Sequence, residues 1–544
     1  MMKNRNTFYL LIILASSIFF FIPFLGRVHL FDWDEINFAE SAREMIVTGN
    51  YSRVMINFQP FWEKPPLFFW LQAMSMQLFG INEFAARFPN AIFGILSLLT
   101  FYIIGKKAID ERFGFIWAIS YLGSFLPHLY FKSGIIDPVF NYFIFMGVYF
   151  IYKEIAGKPD KKSLRNVLLS GIFIGLANLT KGPVGLLIFL LVVLIYWITI
   201  RFKKITSIRN SIVFILSFSV ISFFWFGAEV MEHGFWFLKE FITYQVALFT
   251  TPVAGHHEPI YYHFVVVFLG CFPISIFALP VLFNRKSDER NEFINLMRIL
   301  FWVVIILFTI VTTKIVHYSS LTYFPLSFLA SIYIYRLVNH KVKIANYVFW
   351  CLIAFSSIFS ILLIGVPLLA AHKELLIPYL KDPFAVACLQ TAVKWSGFEF
   401  IIGLIYWIAT LILIIRLKTN AALRNIIVLF YTTALCLFFY LIAVVPKIEA
   451  YSQSPAINFY KSLAGENVDV MPIGFKSYAQ YFYFQKPSAS IYGINEDDSL
   501  LNGNISRPAY FVTKITNLDF PKSHPDCKLI KQEGGFLFYE RFPH

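Results

Sequence analysis

The sequence predicts a polytopic α-helical membrane protein that carries a small soluble α/β domain at its C-terminus. Three observations predict it. Of 544 residues, 58% are hydrophobic and only 14% are charged, whereas about a quarter of an ordinary soluble domain is charged. Apolar runs of the length needed to cross a hydrocarbon core, about 20 residues, recur along the chain and stop near Pro446. The Lys and Arg residues cluster on alternate connections between those runs.

Thirteen runs read as spans: 7–26, 84–105, 113–131, 134–152, 167–180, 183–200, 211–228, 261–283, 297–313, 318–335, 345–370, 399–415 and 425–445. Backbone inside lipid must satisfy its own hydrogen bonds, so these runs are expected to be helices. The first follows Lys3 and Arg5 and lacks a clear small-residue cleavage site, which predicts an uncleaved anchor with a cytoplasmic N-terminus.

The net charge of +14 on its own suggests nucleic acid. Its distribution argues otherwise. Seven connections assigned to one side carry 24 Lys and Arg against 7 acids, the tail 447–544 carries 10 of each, and the remainder is net −3. That asymmetry is the positive-inside signature. It places the long first loop and the tail outside the cytoplasm, and no nucleic-acid partner is implied. Residues 1–446 therefore read as a membrane domain and 447–544 as a soluble outer domain.

In the tail, Ser454–Leu463 and Ser477–Phe484 read as helices. Val468–Ile473, Ala489–Tyr492 and Ala509–Val512 read as strands, and Lys528–Lys531 with Phe536–Tyr539 as a hairpin around Gly534-Gly535. Cys388 and Cys527 would share the oxidising side and are free to pair, though nothing in the spacing requires it.

Charges near a bilayer are expensive unless paired or wetted, so each is a functional candidate. The first loop, 27–83, is richest. Residues 35–47 have helical spacing, with Ile36, Ala39, Arg43 and Ile46 on one face, which suits a helix lying on the membrane surface. A second surface helix is expected over Phe61–Gly80, with Trp62 and Trp70 as anchors. Asp34 and Glu35 either cap the first helix or offer a general base at the membrane rim. Lys64 either snorkels or holds a phosphate, with Glu63 orienting it. Asp137 is either a helix cap before Pro138 or a site acid. Lys181, in a turn between two spans, is a phosphate candidate. Lys314, His317 and Tyr318 share one turn. His256, His257 and Glu258 are metal candidates. Arg53 and Arg87 read as partners in rim ion pairs. These groups gather at the outer boundary while the span centres stay apolar, which favours an interfacial site over a transport pathway.

The residues resemble a family. Asp34-Glu35 with Ala39-Glu40-Ser41-Ala42-Arg43-Glu44-Met45, Phe61-Trp62-Glu63-Lys64-Pro65-Pro66-Leu67, Asn82–Pro89, Thr180-Lys181-Gly182-Pro183 and Lys314-Ile315-Val316-His317-Tyr318 follow the pattern of GT-C glycosyltransferases that use polyprenyl-phosphate sugars. The chain looks most similar to the 4-amino-4-deoxy-L-arabinose transferases of lipid A, and more distantly to protein O-mannosyltransferases. The resemblance implies a GT-C fold and a monomer in the bacterial inner membrane with a periplasmic site. The donor would be undecaprenyl phosphate carrying a sugar, and the acceptor lipid A or another envelope molecule. It implies catalytic Asp34, Glu63 and Lys64, and substrate contacts from Lys181, Lys314, Tyr318, Asp137, Glu35 and Arg43. No cofactor is secured, and a divalent metal at His256, His257 and Glu258 stays open. Protein or other glycan acceptors, and a lipid-linked sugar flippase, remain alternatives.

Overall fold

The structure, a computed structural model, describes residues 2–157, 161–203, 206–251, 258–284, 292–340, 342–493 and 496–543. Helix α1 (Met2–Phe21) enters the first loop, which holds α2 (Asp34–Thr48), the hairpin β1–β2 (Met55–Ile56, Gln59–Pro60) and α3 (Leu67–Phe79). The bundle continues with α4 (Glu83–Ala108), α5 (Glu111–Leu122), α6 (Phe125–Tyr130), α7 (Asp137–Ile155), α8 (Lys161–Lys181), α9 (Val184–Thr199), α10 (Ile208–His233) and α11 (Phe235–Thr250). Next come α12 (Tyr262–Gly270), α13 (Ile274–Phe283), α14 (Glu292–Ile310), a 3-10 segment (Val316–Thr322), α15 (Tyr323–Asn339), α16 (Asn346–Ala371), α17 (Pro383–Leu389), α18 (Phe400–Thr419) and α19 (Leu423–Ala443).

Local chemistry starts several of these helices. The Asn82, Asp110 and Ser207 side chains accept from the backbone N–H groups of Ala85, Phe113 and Asn210, capping α4, α5 and α10. The helices stay in the membrane by composition: α10 exposes Val220, Phe223, Phe224 and Met231, and α16 exposes Trp350 and Ile361. Such faces are stable only against lipid.

Each of the thirteen expected runs is helical, though not all are equally long and apolar. Among the described residues, eight helices are long and apolar enough to cross a membrane, or nine if α12 and α13, bent by 118°, form one span. Of the other runs, α1 and α9 give shorter apolar helices and α7 is one unbroken helix of 19 residues. The run 113–131 breaks between α5 and α6 at Gly123-Ser124. The sequence reading also missed α11, although Phe237, Phe241, Tyr244, Gln245 and Leu248 recur at helical spacing.

The tail folds as a four-stranded sheet of order β3-β4-β6-β5, formed by Asp469–Ile473 (β3), Ala509–Lys514 (β4), Lys528–Glu533 (β5) and Phe536–Arg541 (β6). β3 and β4 are parallel and the other pairs antiparallel. The helices Ser454–Ser462 and Ala479–Phe484 pack beside it. Ala489–Tyr492, expected as a strand, is a turn, and Glu496–Asn502 is an additional helix. All five cysteines are free thiols, so Cys388 and Cys527 are unpaired with each other.

The tail docks on the first loop, and this corrects the surface-helix expectation. Every residue of α2 from Glu35 to Met45 is buried. Arg43 makes a two-pronged contact with Glu40, both bonds at 2.7 Å, and donates to the Lys486 carbonyl oxygen of the tail at 2.9 Å. Lys486 in turn reaches Asn57 and Glu496, each at 2.8 Å. Burial, followed by the Glu40 charge beside it, pushes the Glu44 carboxyl up to about 9. At neutral pH Glu44 is therefore protonated, and one arginine faces one carboxylate. The second surface helix starts at Leu67 rather than Phe61, because Pro65 and Pro66 hold the preceding residues out of helical geometry.

Removing Arg43 strands the Glu40 carboxylate in a buried site. Arg43→Leu is expected to cost about 3–5 kcal/mol, seen as a lower melting temperature in detergent together with faster proteolytic release of the tail.

Candidate active site

A cavity of roughly 750 Å³ opens where the first loop meets the ends of α7 and α8, the 3-10 segment and α11. Asp34, Glu35, Glu63, Lys64, Asp137, Lys181 and Tyr318 line it, and so do His317, Tyr244, Trp33, Lys476 and Tyr478.

The wall holding Asp34 is built around a buried ion pair. Glu35 receives Arg87 Nε at 2.9 Å and Arg87 Nη2 at 2.7 Å. It also accepts the backbone N–H groups of Gly134 at 2.5 Å and Phe31 at 2.9 Å. Arg87, on α4, spends its other donors on the carbonyl oxygens of Leu25, Val28 and His29. Burial alone would raise the Glu35 carboxyl, but Arg87 and these N–H donors hold it below the ordinary carboxylate range. Glu35 thus shapes the wall with no oxygen to spare for substrate. Trp33, just before α2, has φ 76° and ψ −108°, a conformation costly for a bulky residue. Such strain persists only where surroundings enforce it. Here it aims Asp34 into the cavity, where 39% of that side chain is exposed.

Opposite lie the cations. Lys64 is 3.9 Å from Glu63 Oε2 and lies over the Tyr244 ring, 5.1 Å from its centroid. Tyr244 donates to Glu63 at 2.7 Å. Burial pulls the Lys64 ammonium below the ordinary lysine range, despite the nearby Glu63 charge. A desolvated ammonium so placed gains from a bound anion. Lys181 closes α8, 2.5 Å from Asp137 Oδ1 and over the Tyr318 ring at 4.7 Å. The turn after it needs Gly182, whose φ is +96° and whose missing Cβ would fall 2.8 Å from Phe241. Asp137 opens α7 ahead of Pro138 and is 3% exposed.

A narrower pocket shares Lys64, Asp137, Lys181, Leu248 and Tyr318 with this cavity and continues it between α9 and α14, at Ile188, Phe308 and Val311. Farther along the same two helices, Leu191, Ile195, Val303, Ile306 and Ile310 line an apolar groove of roughly 720 Å³.

Two expected ligands are elsewhere. Arg43 is spent on Glu40 and the tail, outside the cavity. Lys314 is buried and donates to the Val311 carbonyl oxygen at 3.0 Å, satisfying the end of α14. His256 and His257 lie outside the described residues, and Glu258 is exposed. Among the described residues no group of three or more His, Cys, Asp or Glu is arranged to hold a metal. Sequence reasoning did not single out Tyr244, Trp33, Lys476 or Tyr478 as site residues. Only α11's periodicity signalled the first, and the last two reach the cavity from the distant tail.

Two outcomes are expected. Glu35→Ala leaves Arg87 buried and unpaired and should cost about 3–5 kcal/mol. Because the Glu35 pKa is depressed, the pair stabilises fully above the ordinary value of 4.5 and is lost as pH falls through the depressed one. Melting curves between pH 7 and pH 3 test this, the wild type losing an increment that Glu35→Gln lacks. Binding of a phosphate monoester to the cavity should weaken as pH rises through the lowered Lys64 pKa, before an ordinary lysine would titrate. Titration calorimetry with Lys64→Met, where that limb disappears, tests the assignment.

The chain is similar to known proteins in sequence and in fold. Residues 63–226 match the family described as dolichyl-phosphate-mannose-protein mannosyltransferase. The undecaprenyl phosphate-alpha-4-amino-4-deoxy-L-arabinose arabinosyl transferase of Wigglesworthia glossinidia brevipalpis is 26% identical over 60% of this chain and 58% of its own length. A protein of that name, numbered 2, from Proteus mirabilis is 26% identical over 61% of each chain. The chain thus spans about three fifths of the length of these two relatives. The crystal structure of ArnT from Cupriavidus metallidurans bound to undecaprenyl phosphate superposes with a TM-score of 0.78 at 16% identity, covering 98% of both chains. The fold is that seen in the ArnT structure, and in sequence the chain is similar to the aminoarabinose transferases.

Proposed function

We propose that the chain is an integral-membrane glycosyltransferase that moves a sugar from undecaprenyl phosphate to an envelope acceptor, with lipid A the favoured acceptor. One observation carries this reading. A cavity holding two lysines and exposed carboxylates is continued by an apolar groove between α9 and α14. An anionic head on a long hydrocarbon tail has that shape and chemistry. The names of the relatives support the choice of lipid. The charge asymmetry supports a periplasmic cavity and tail, with a cytoplasmic N-terminus.

In this reading the tail of the donor follows α9 and α14 and the phosphate rests on Lys64 and Lys181. The acceptor enters past Trp33, Tyr478 and Lys476. Its oxygen attacks the anomeric carbon from the Asp34 side, and the bond from that carbon to the phosphate oxygen breaks. Negative charge grows on the departing undecaprenyl phosphate, where the lysines and the Tyr318 hydroxyl stabilise it. A hydroxyl acceptor gives its proton to Asp34, while a phosphate acceptor needs only orientation. Glu63 keeps Lys64 in place and is itself held by Tyr244.

The match over residues 63–226 favours a second reading, in which a protein hydroxyl is the acceptor. Mass spectrometry of lipid A and of envelope proteins, from cells with and without the gene, separates the two. A pentosamine-sized addition on lipid A supports the first, and an unchanged lipid A beside a glycosylated protein replaces it with the second. Asp34→Asn and Lys64→Ala should each lower transfer by about 100-fold or more while melting like the wild type. Full activity in Asp34→Asn would instead fit a flippase.

A further inference from the structure

His317 belongs to none of the roles assigned above, yet it lies between the two acids of the cavity. Its Nε2 is 3.2 Å from Asp34 Oδ2 and 3.7 Å from Asp137 Oδ2. Both neighbours are carboxylate oxygens, which accept and do not donate, so Nε2 carries a hydrogen. Asp137 Oδ1 is occupied by Lys181, whereas Asp137 Oδ2 is buried with no hydrogen-bond partner. An orphaned buried carboxylate oxygen costs free energy, and such groups are kept where they act. The imidazole is only 15% exposed and comes from the same 3-10 segment that sets Tyr318 over Lys181. One short segment therefore addresses the acid side and the cation side of the cavity together.

We infer that His317 is a positioning residue for Asp34, whose N–H is shared between the two acids as the reaction proceeds. The inference rests on the transferase reading. Before transfer, the close contact of Nε2 with Asp34 Oδ2 at 3.2 Å holds the carboxylate toward the acceptor. When the oxygen of a hydroxyl acceptor joins the anomeric carbon, its proton passes to Asp34, whereas toward a phosphate acceptor the contact only orients Asp34. The neutral acid no longer holds the imidazole hydrogen strongly, and the N–H turns to Asp137 Oδ2, which waits 3.7 Å away. No proton leaves the histidine in this exchange. Asp137, now holding both Lys181 and His317, keeps Lys181 against the departing phosphate as its charge grows. The other charged or titratable groups near the ring are Lys181 on α8, Tyr318 on its own segment, Lys314 just before that segment, and His263 on α12.

The test uses the full-length chain in detergent, with aminoarabinosyl undecaprenyl phosphate and lipid A as probes. His317→Ala should lower kcat by about 10- to 100-fold, the range for loss of a group that orients another. The KM for the donor and the affinity for undecaprenyl phosphate should change by less than about twofold. His317→Gln, which keeps an N–H near the position of Nε2, should recover most of that loss. Melting temperatures of both variants, read in parallel, exclude misfolding as the cause. Wild-type kcat in His317→Ala overturns the inference. So does a Gln variant no better than Ala, or a loss confined to undecaprenyl phosphate affinity. A wild-type chain that transfers no sugar in this assay or in cells overturns the transferase reading, and the role of His317 with it.

Discussion

The Glu35–Arg87 ion pair is the constraint on which the site depends. It is buried, two-pronged and surrounded by backbone groups from two stretches of chain, residues 25–31 and Gly134. An isolated charge there would be far too costly, so neither partner is tolerable without the other. The carbonyl oxygens of residues 25 to 29 converge on Arg87, and the N–H groups of Phe31 and Gly134 converge on Glu35. The first loop, α4 and the approach to α7 are thereby locked at one point. Asp34 is the residue next to Glu35. The paired acid is rigid and the neighbouring one is left facing the cavity.

A second layer of pairing places the tail over that loop. Arg43 and Lys486 tie α2 to the tail from below, while Lys476 lies over the Trp33 and Tyr478 rings at the cavity mouth. Tyr483 accepts the backbone N–H of Leu30 at 2.7 Å, next to the stretch that Arg87 holds. The tail is thus coupled to the cavity wall through short, directed contacts. That coupling explains why α2 is buried although its sequence reads as a surface helix. An amphipathic helix presents one apolar stripe, and here its charged face is neutralised internally and then covered.

The cavity itself balances opposite costs. Two ammonium groups are held at low exposure, each against an aromatic ring and an acid. The acids keep the empty site from accumulating positive charge, and the rings lower the cost of desolvation. An arriving phosphate replaces part of this internal compensation. The groove along α9 and α14 is mostly apolar, with Arg298 and Asn295 also in its lining, and suits a hydrocarbon chain.

Much of this was legible in the chain alone. Composition and loop charge established a polytopic membrane protein, because lipid demands long apolar helices and translocation sorts cations to one side. Asp34, Glu63, Lys64, Asp137, Lys181 and Tyr318 were identifiable as isolated polar groups beside apolar runs, and all six line one cavity. Their assembly was decided by tertiary structure. Sequence could not distinguish Glu35 from Asp34, since only the partner at Arg87 makes one structural and leaves the other open. Arg43 and Lys314 looked like ligands because a lone cation reads the same whether it faces a cavity, a buried carboxylate or a helix end. Tyr244, Lys476 and the two-sided placement of His317 depend on contacts across scores to hundreds of residues. Local pattern determines which groups are too polar for the bilayer, and only three-dimensional pairing determines which of them are already satisfied.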